Sequence, residues 1–223
     1  MEFINKLILL APAIIIAMTV HELAHAWVAN RMGDDTAKRL GRISLNPIRH
    51  LDRVGTLVFL VTAWFGFGFG WAKPVPVNYR RMKNIRLGFI LVSAAGPLSN
   101  MLVVVVMGLL TMAALKLQWT WFFEYKLFNF VLMAAYVNGI FSFLNLIPLP
   151  PLDGSNIVIG VLPANLAFNY QKLGRYGFII LFALIALPML ARQMGQEFPD
   201  ILGILVREPA TSLINLCFPF KVF

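Results

Sequence analysis

Two histidines and a glutamate stand close together in the apolar N-terminal part of the chain. The segment HELAH, residues 21–25, lies inside a run from Leu7 to Val28. This run is long enough to cross a bilayer, for which ~20 apolar residues suffice. Because residues i and i+4 share one face of a helix, His21 and His25 can bind the same metal ion. Glu22 lies on a flanking face, where a carboxylate can take a proton from metal-bound water. Ionisable groups are costly within lipid, so this set indicates a functional site.

A hydrolytic zinc site usually takes three protein ligands and leaves a fourth position for water. Candidates for the third ligand are few. His50 lies among charged residues and is interpreted as a loop histidine, and Glu124 lies in a turn expected on the opposite side of the membrane. Asp153 is the one acidic residue besides Glu22 with apolar surroundings, and it is therefore the preferred ligand, held by the turn that Gly154 allows. The alternative is that Asp153 serves only to form an Asp-Gly turn.

The composition is that of an integral membrane protein. The chain has 223 residues, of which 59% are hydrophobic and 13% are charged. A soluble domain is nearer half apolar and a quarter charged. No region between the hydrophobic runs is long enough to fold alone, which predicts one domain over residues 1–223 with a catalytic core in about residues 1–160.

The net charge of +9 is unevenly distributed. Of the 19 Lys and Arg residues, 11 fall in residues 30–54 and 72–86, which border hydrophobic runs. Cations beside membrane segments mark the cytoplasmic side and attract anionic lipid. No aromatic-interleaved basic surface accompanies them, so nucleic-acid binding is not expected. Cys217 is the only cysteine, which excludes disulfides and thiolate zinc sites within the chain.

Hydrophobic runs predict an all-α polytopic membrane protein, a bundle of about 4–6 membrane segments. The runs cover residues 3–29, 54–71, 87–115, 127–147 and 174–191. A last apolar stretch, 209–223, is too short to be predicted as a membrane span. The run 54–71 has basic flanks at both ends, which favours a re-entrant dip over a crossing. The prolines of Lys73–Asn78 predict extended backbone, so a re-entrant or extended element is expected near residues 54–80.

The N-terminal segment is predicted to be retained. Ala11-Pro12-Ala13 loosely resembles a signal-peptidase site. Cleavage there would leave the HELAH segment without a full membrane helix. With residues 31–53 on the cytoplasmic side, two further crossings return the chain to that side near Pro148. Charge bias therefore predicts that His21, His25 and Asp153 lie at one membrane level.

Five blocks of this sequence occur in the order found in a known family. They are HELAHAW, GRISLNPIRHLDRVGT, GWAKPVPVN, SAAGPLSN and NLIPLPPLDG, within about residues 17–160. The chain resembles the site-2 protease family of intramembrane zinc metalloproteases. It is most similar to the short branch, which lacks PDZ and cystathionine-synthase-type domains.

The resemblance implies roles for particular residues. His21, His25 and Asp153 match the zinc ligands, with one Zn²⁺ per chain, and Glu22 matches the general base. Asn145 matches an asparagine thought to position the substrate or stabilise the oxyanion, a task suited to an amide donor; the alternative is a helix-packing amide.

Further blocks carry further expectations. The Gly96-Pro97 block is expected to pack in a core helix, and Pro74–Asn78 to meet substrate as an extended strand. No role is assigned to Asn46 and His50.

The resemblance further implies hydrolysis of peptide bonds in transmembrane protein substrates within the lipid bilayer. The expected location is a prokaryotic plasma membrane, with the active site toward the cytoplasm. Two other functions stay open from the residues alone, a metal-binding membrane transporter and a non-proteolytic membrane scaffold. Bis-histidine haem is disfavoured, because His21 and His25 on one helix cannot occupy opposite axial positions.

Overall fold

The computed structural model describes residues 2–64, 70–124 and 127–223. It is 76% helical, and no β-strand occurs among the residues described. The helices are α1 (Glu2–Met32), α2 (Thr36–Arg39), α3 (Arg53–Trp64), α4 (Ile85–Lys116), α5 (Thr120–Glu124), α6 (Leu127–Leu146), α7 (Asp153–Val161), α8 (Ala164–Gln171), α9 (Gly174–Gln193) and α10 (Glu208–Cys217). The 3₁₀ turns Pro47–Arg49 and Tyr79–Arg81 and the π-helical turn Gly203–Arg207 complete the set. The predicted all-α polytopic class is confirmed.

Four helices of the described chain are long and apolar enough to cross a membrane. They are Leu7–Met32 of α1, together with α4, α6 and α9. Even the shorter of them, at 20 residues, reach roughly 30 Å, the thickness of the hydrocarbon core. These four helices correspond to the predicted runs 3–29, 87–115, 127–147 and 174–191. Four spans among the described residues agree with the predicted number of about 4–6 membrane segments.

The first part of the apolar run 54–71 lies in helix α3. The described residues of α3 number 12 and extend about 18 Å, less than the thickness of the hydrocarbon core. The second part of the predicted re-entrant dip, residues 65–69, lies outside the described residues. From Lys73 to Asn78 the backbone is not helical, as its prolines predict, because each removes an amide donor and disfavours helix at the preceding residue.

Helices α1, α4 and α6 form the centre of the bundle, and α7 packs against α4. Small residues permit the close approach of α1 and α6: Ala13, Ala17 and Ala134 are fully buried at their contact. In lipid, where water does not drive helices together, such close van der Waals packing is the main source of association. A second core holds α10 against α4 and α6, with Val104, Val131 and Ile214 at its centre.

A side-chain hydrogen bond also joins α4 and α6. Ser142 Oγ on α6 donates to the carbonyl oxygen of Pro97 on α4, at 2.9 Å, and both residues are buried. After α6 ends at Leu146, the proline-rich turn 148–151 reverses the chain, and α7 begins at Asp153. This turn brings the start of α7 back against the central helices, where the two histidines of α1 lie.

Candidate metal centre

His21 and His25 lie one turn apart on the inner face of α1. Their side chains are buried, with 5% and 8% of the residue surface exposed. The two rings stand nearly perpendicular, at 87°, with 4.5 Å between ring centroids. The spacing of four residues places both imidazoles on the helix face that meets α4, as the sequence predicts.

Asp153 reaches the same point from the other side of the bundle. Its Oδ2 lies 2.9 Å from His21 Nε2 and 3.2 Å from His25 Nε2. One potential ligand atom from each of the three residues lies within 4.8 Å of the other two. The structure therefore brings together the three residues that were predicted as metal ligands, although Asp153 lies more than 120 positions from either histidine in the sequence.

Asp153 is the first residue of α7 and does not serve merely as a turn former. The neighbouring Gly154 is needed for a reason other than the predicted one. A Cβ at Gly154 would collide with the carbonyl oxygens of Leu146 and Ile147. The glycine thus permits close approach of α7 to the end of α6, and this approach places the Asp153 carboxylate beside the histidines.

The protonation pattern of the three groups favours a cation between them. His25 Nδ1 lies 2.7 Å from the carbonyl oxygen of Val92. A carbonyl oxygen can only accept, so Nδ1 carries the hydrogen and, in the neutral ring, Nε2 presents a lone pair to Asp153 Oδ2. Two acceptors at 3.2 Å repel unless a proton or a metal ion lies between them. His21 Nδ1 and Asp153 Oδ2 have no hydrogen-bond partner of standard geometry among the described residues.

The charge on Asp153 is consistent with a metal ligand. Burial would raise the pKa of the Asp153 carboxyl, but the two nearby imidazoles outweigh burial and lower it to about 2. The group is therefore ionised at neutral pH. Two imidazoles and one carboxylate are a common ligand set of catalytic zinc, with a fourth position left for water. The residues present fit that ion.

Glu22 is oriented by the extended segment. The backbone N–H of Val75 donates to Glu22 Oε2 at 2.7 Å. Glu22 lines a cavity of about 370 Å³ together with His21, His25 and Asp153. A carboxylate beside the candidate ligands, held by a backbone donor and open to the cavity, has the position required of a proton acceptor.

The extended segment is itself fixed by the block that had no assigned role. The guanidinium of Arg42, 7% exposed, donates through Nη2 to the Lys73 carbonyl at 2.6 Å, and Lys73 N donates to the His50 carbonyl at 2.8 Å. Burial lowers the pKa of Arg42, whereas the charge of Glu22 acts in the opposite direction. His50 is buried and lies outside the metal group, with Nε2 2.8 Å from Ser44 O. The block therefore supports Glu22 indirectly.

Gly96 brings α4 against the two histidines. A Cβ at this position would lie 2.5 Å from His25 Nε2 and 2.6 Å from His21 Cε1. The predicted close packing of this block is thus a packing against the candidate ligands themselves. The sequence predicts that the glycine lies in a core helix, but it carries no signal for the residues that the glycine contacts.

Asn145 lines the same cavity from α6. Its Nδ2 donates to the carbonyl oxygen of Phe141, four residues earlier in the helix, at 2.9 Å. This leaves the second hydrogen of the amide for another acceptor. The position is compatible with the predicted contact to substrate, which stays a prediction.

The fold and this centre together define a class: a polytopic helical membrane protein with two histidines and a carboxylate that converge at a buried site. Comparison with known proteins makes the class specific. The chain is 42% identical over 178 residues to the protein named "Putative zinc metalloprotease YwhC" of Bacillus subtilis, covering 79% of each sequence. It is 29% identical over 217 residues to "Putative zinc metalloprotease Rip2" of Mycolicibacterium smegmatis, covering 92% of this chain and 78% of that protein. The chain belongs to the zinc metalloprotease family that these names describe. No protein-family model and no solved structure matches it.

Proposed function

We propose that this protein is an intramembrane zinc protease of the site-2 protease type, which hydrolyses peptide bonds in membrane-embedded protein substrates. The observation that carries the proposal is the convergence of His21, His25 and Asp153 within 4.8 Å, beside Glu22, in a chain with four potential membrane spans. Membership of the zinc metalloprotease family supports the same reaction.

His21, His25 and Asp153 would hold the ion. When bound there, Zn²⁺ would lower the pKa of a bound water to roughly 7 and would polarise a carbonyl group. The carboxylate of Glu22 accepts the proton of the attacking water and then gives it to the leaving amine. The free amide hydrogen of Asn145 donates to the substrate carbonyl oxygen, where negative charge develops.

The substrate must reach this site in an unwound form. The carbonyl groups of an intact helix are engaged in internal hydrogen bonds and cannot be attacked. The cavity is bordered by the extended residues Pro74, Val75 and Val77. Backbone of this kind suits contact with an unwound peptide better than contact with a helix.

We place the active site toward the cytoplasmic side of a bacterial plasma membrane. The basic residues of 30–54 and 72–86 follow α1 and surround the extended segment, at the end of α1 that carries the histidines. The positive-inside rule assigns such an end to the cytoplasm. Both named relatives are bacterial proteins.

The decisive experiment compares zinc content and cleavage in purified protein. The probe is a tagged single-span model peptide, reconstituted in proteoliposomes, with a Gly-Pro interruption in its apolar segment. Wild type is expected to contain one zinc ion and to cleave the peptide, whereas Glu22→Gln keeps zinc and loses roughly 10²- to 10⁴-fold in rate. Glu124→Gln, at an exposed position on α5, is the matched control and should cleave as wild type does.

A transporter is less well supported by the same geometry. Transport needs ligands along a path, whereas the candidate ligands found in the described part of the chain form one group. Zinc flux into proteoliposomes that survives Glu22→Gln, without peptide cleavage by wild type, would favour transport. Full cellular activity without His21 would favour a scaffold.

A further inference from the structure

Tyr79 is held at the edge of the candidate site by two contacts. It begins a 3₁₀ turn directly after Asn78, whose backbone N–H donates to the buried carboxylate of Asp34 at 2.6 Å. Its ring stacks on Phe89 of α4, with 4.0 Å between ring centroids and 19° between the planes. The first contact fixes the backbone before Tyr79, and the stacking restricts the orientation of its ring.

The side chain of Tyr79 borders the cavity that contains Glu22 and the three candidate ligands. Burial raises the pKa of the Tyr79 phenol, the nearby Ser93 hydroxyl opposes the rise, and the charge of Asp153 adds to it. Tyr79 and Ser93 both line the cavity, and the phenol is near enough to the Asp153 carboxylate for that charge to act on it. With a raised pKa the hydroxyl stays protonated at neutral pH and can donate a hydrogen bond.

Few other groups in this cavity can donate to a substrate. The Ser93 hydroxyl is one of them, because it lines the cavity and has no hydrogen-bond partner among the described residues. Glu22 and Asp153 are acceptors when ionised, and the two imidazole Nε2 atoms face Asp153. The Asn145 amide gives one of its two hydrogens to Phe141. Asn156, three residues after Asp153 on α7, is a second amide at the cavity wall. Tyr79 contributes the one phenolic hydroxyl found there among the described residues.

Peptide hydrolysis needs a donor at the point where charge develops. The carbonyl oxygen of the scissile bond becomes an oxyanion, and a positioned donor stabilises that state more than the ground state. A neutral hydroxyl on a ring held by stacking meets this requirement, since it needs no reorganisation during the reaction.

We infer that the Tyr79 hydroxyl is a catalytic donor, which donates a hydrogen bond to the carbonyl oxygen of the scissile peptide bond as that oxygen gains negative charge. This inference rests on the proposed function. It assigns to Tyr79 a contact with the reacting atoms, and not a role in holding the metal ligands.

The test is Tyr79→Phe in the proteoliposome assay. The substitution removes one oxygen and keeps the ring that stacks on Phe89. The kcat for the Gly-Pro model peptide is expected to fall roughly 10²-fold, as on loss of one oxyanion donor, with KM changed less than about twofold. Zinc content and melting temperature should equal those of wild type. Tyr176→Phe, at a 52% exposed position on α9, is the matched control and should leave kcat unchanged.

A second readout uses two inhibitors. A phosphinic peptide carries an oxygen in the position of the oxyanion, and Tyr79→Phe should weaken its binding by about the same factor as kcat. Inhibition by 1,10-phenanthroline, which removes zinc, should be equal in both proteins. Asn156→Ala is the comparison for the alternative donor and should weaken phosphinate binding less than Tyr79→Phe does.

The outcomes separate the two proposals. A wild-type protein that cleaves the peptide, with an equally active Tyr79→Phe variant, rejects the role of Tyr79 alone. Loss of zinc or a lower melting temperature in Tyr79→Phe shows that the hydroxyl supports the structure, and also rejects it. A wild-type protein that holds zinc and cleaves no peptide rejects the proposed function and this inference with it.

Discussion

The backbone N–H of Val75 donates to Glu22 Oε2 at 2.7 Å, across 53 positions of sequence. This contact joins the proposed proton acceptor to the extended segment that borders the cavity. It orients one carboxylate oxygen and leaves the other oxygen for water. Glu22 is thus positioned by a backbone group, which no side-chain substitution at Val75 other than proline can remove.

Val75→Pro should lower the cleavage rate with zinc content unchanged. The substitution removes the N–H that Glu22 accepts, and a hydrogen bond to a charged group contributes about 1.5–3 kcal/mol. The expected loss in kcat is roughly 10-fold or more. Val77→Pro is the control, because the structure assigns no hydrogen bond to the Val77 N–H among the described residues. Equal activity of the two variants would contradict this role of the Val75 amide.

Asp153→Asn should weaken zinc binding at least about 100-fold. The change removes the negative charge of the third candidate ligand while keeping its shape, and even changes in groups behind the ligands cost 10- to 100-fold. Zinc affinity is measured by competition with a chromophoric chelator. Asp35→Asn, in an exposed ion pair with Arg39 and Arg81, serves as control. Unchanged zinc occupancy in Asp153→Asn would exclude Asp153 as a ligand.

Zinc should stabilise the folded wild-type protein. An ion that binds the folded state alone, at 100 times its Kd, adds about 2.7 kcal/mol to the free energy of unfolding. Removal of zinc by a chelator should therefore lower the melting temperature in detergent, and added zinc should restore it. His21→Ala should show no such response; a response equal to that of wild type would place the ion elsewhere.

Gly96→Ala should impair zinc binding without removing a ligand. The added Cβ would lie 2.5 Å from His25 Nε2, so the ring must move or α4 must shift. Overpacking of this kind costs about 1–3 kcal/mol. At Gly139 the nearest atom, Ala210 Cβ, would be 3.3 Å away, and Gly139→Ala should be milder. The measurement is the zinc affinity of the two variants. Wild-type affinity in Gly96→Ala would contradict the prediction, because it would show that the helices accommodate the added methyl group without disturbing the zinc ligands.

Ser142→Ala should have a small effect on stability. It removes the 2.9 Å hydrogen bond to the Pro97 carbonyl between α6 and α4. Interhelical hydrogen bonds in membrane proteins contribute about 0.6 kcal/mol on average. Unfolding in mixed micelles should show a loss of this size, with zinc affinity retained. A loss several times larger would contradict this expectation.

Features that depend on local spacing could be predicted from the sequence. The i, i+4 relation of His21 and His25 follows from helix geometry, and the membrane helices follow from the length of apolar runs. Asp153 could be found because a carboxylate in apolar surroundings is costly and therefore informative. The structure brings these groups together as expected.

Contacts made by backbone groups could not be predicted in the same way. Every residue except proline has a backbone N–H, so the identity of Val75 gives no indication of its hydrogen bond to Glu22. The contact of Gly96 with His25 requires the relative position of α1 and α4. Likewise, Arg42 and His50 could be seen as a motif, but their role appears only when the carbonyl and amide of Lys73 are located. The predicted re-entrant dip of 54–71 stays a prediction, because residues 65–69 lie outside the described residues.

Residues 73–76, all of which the structure describes, can accept further backbone hydrogen bonds but cannot donate any. Lys73 N–H and Val75 N–H are already engaged, and Pro74 and Pro76 have none. Every backbone hydrogen bond still available from this run is therefore one that its carbonyl oxygens accept. Two copies of the chain cannot pair through this run by backbone hydrogen bonds, since neither copy would supply a donor. Prolines prevent the pairing of exposed strand edges in the same way. A foreign peptide can pair with it solely by offering its own amide hydrogens.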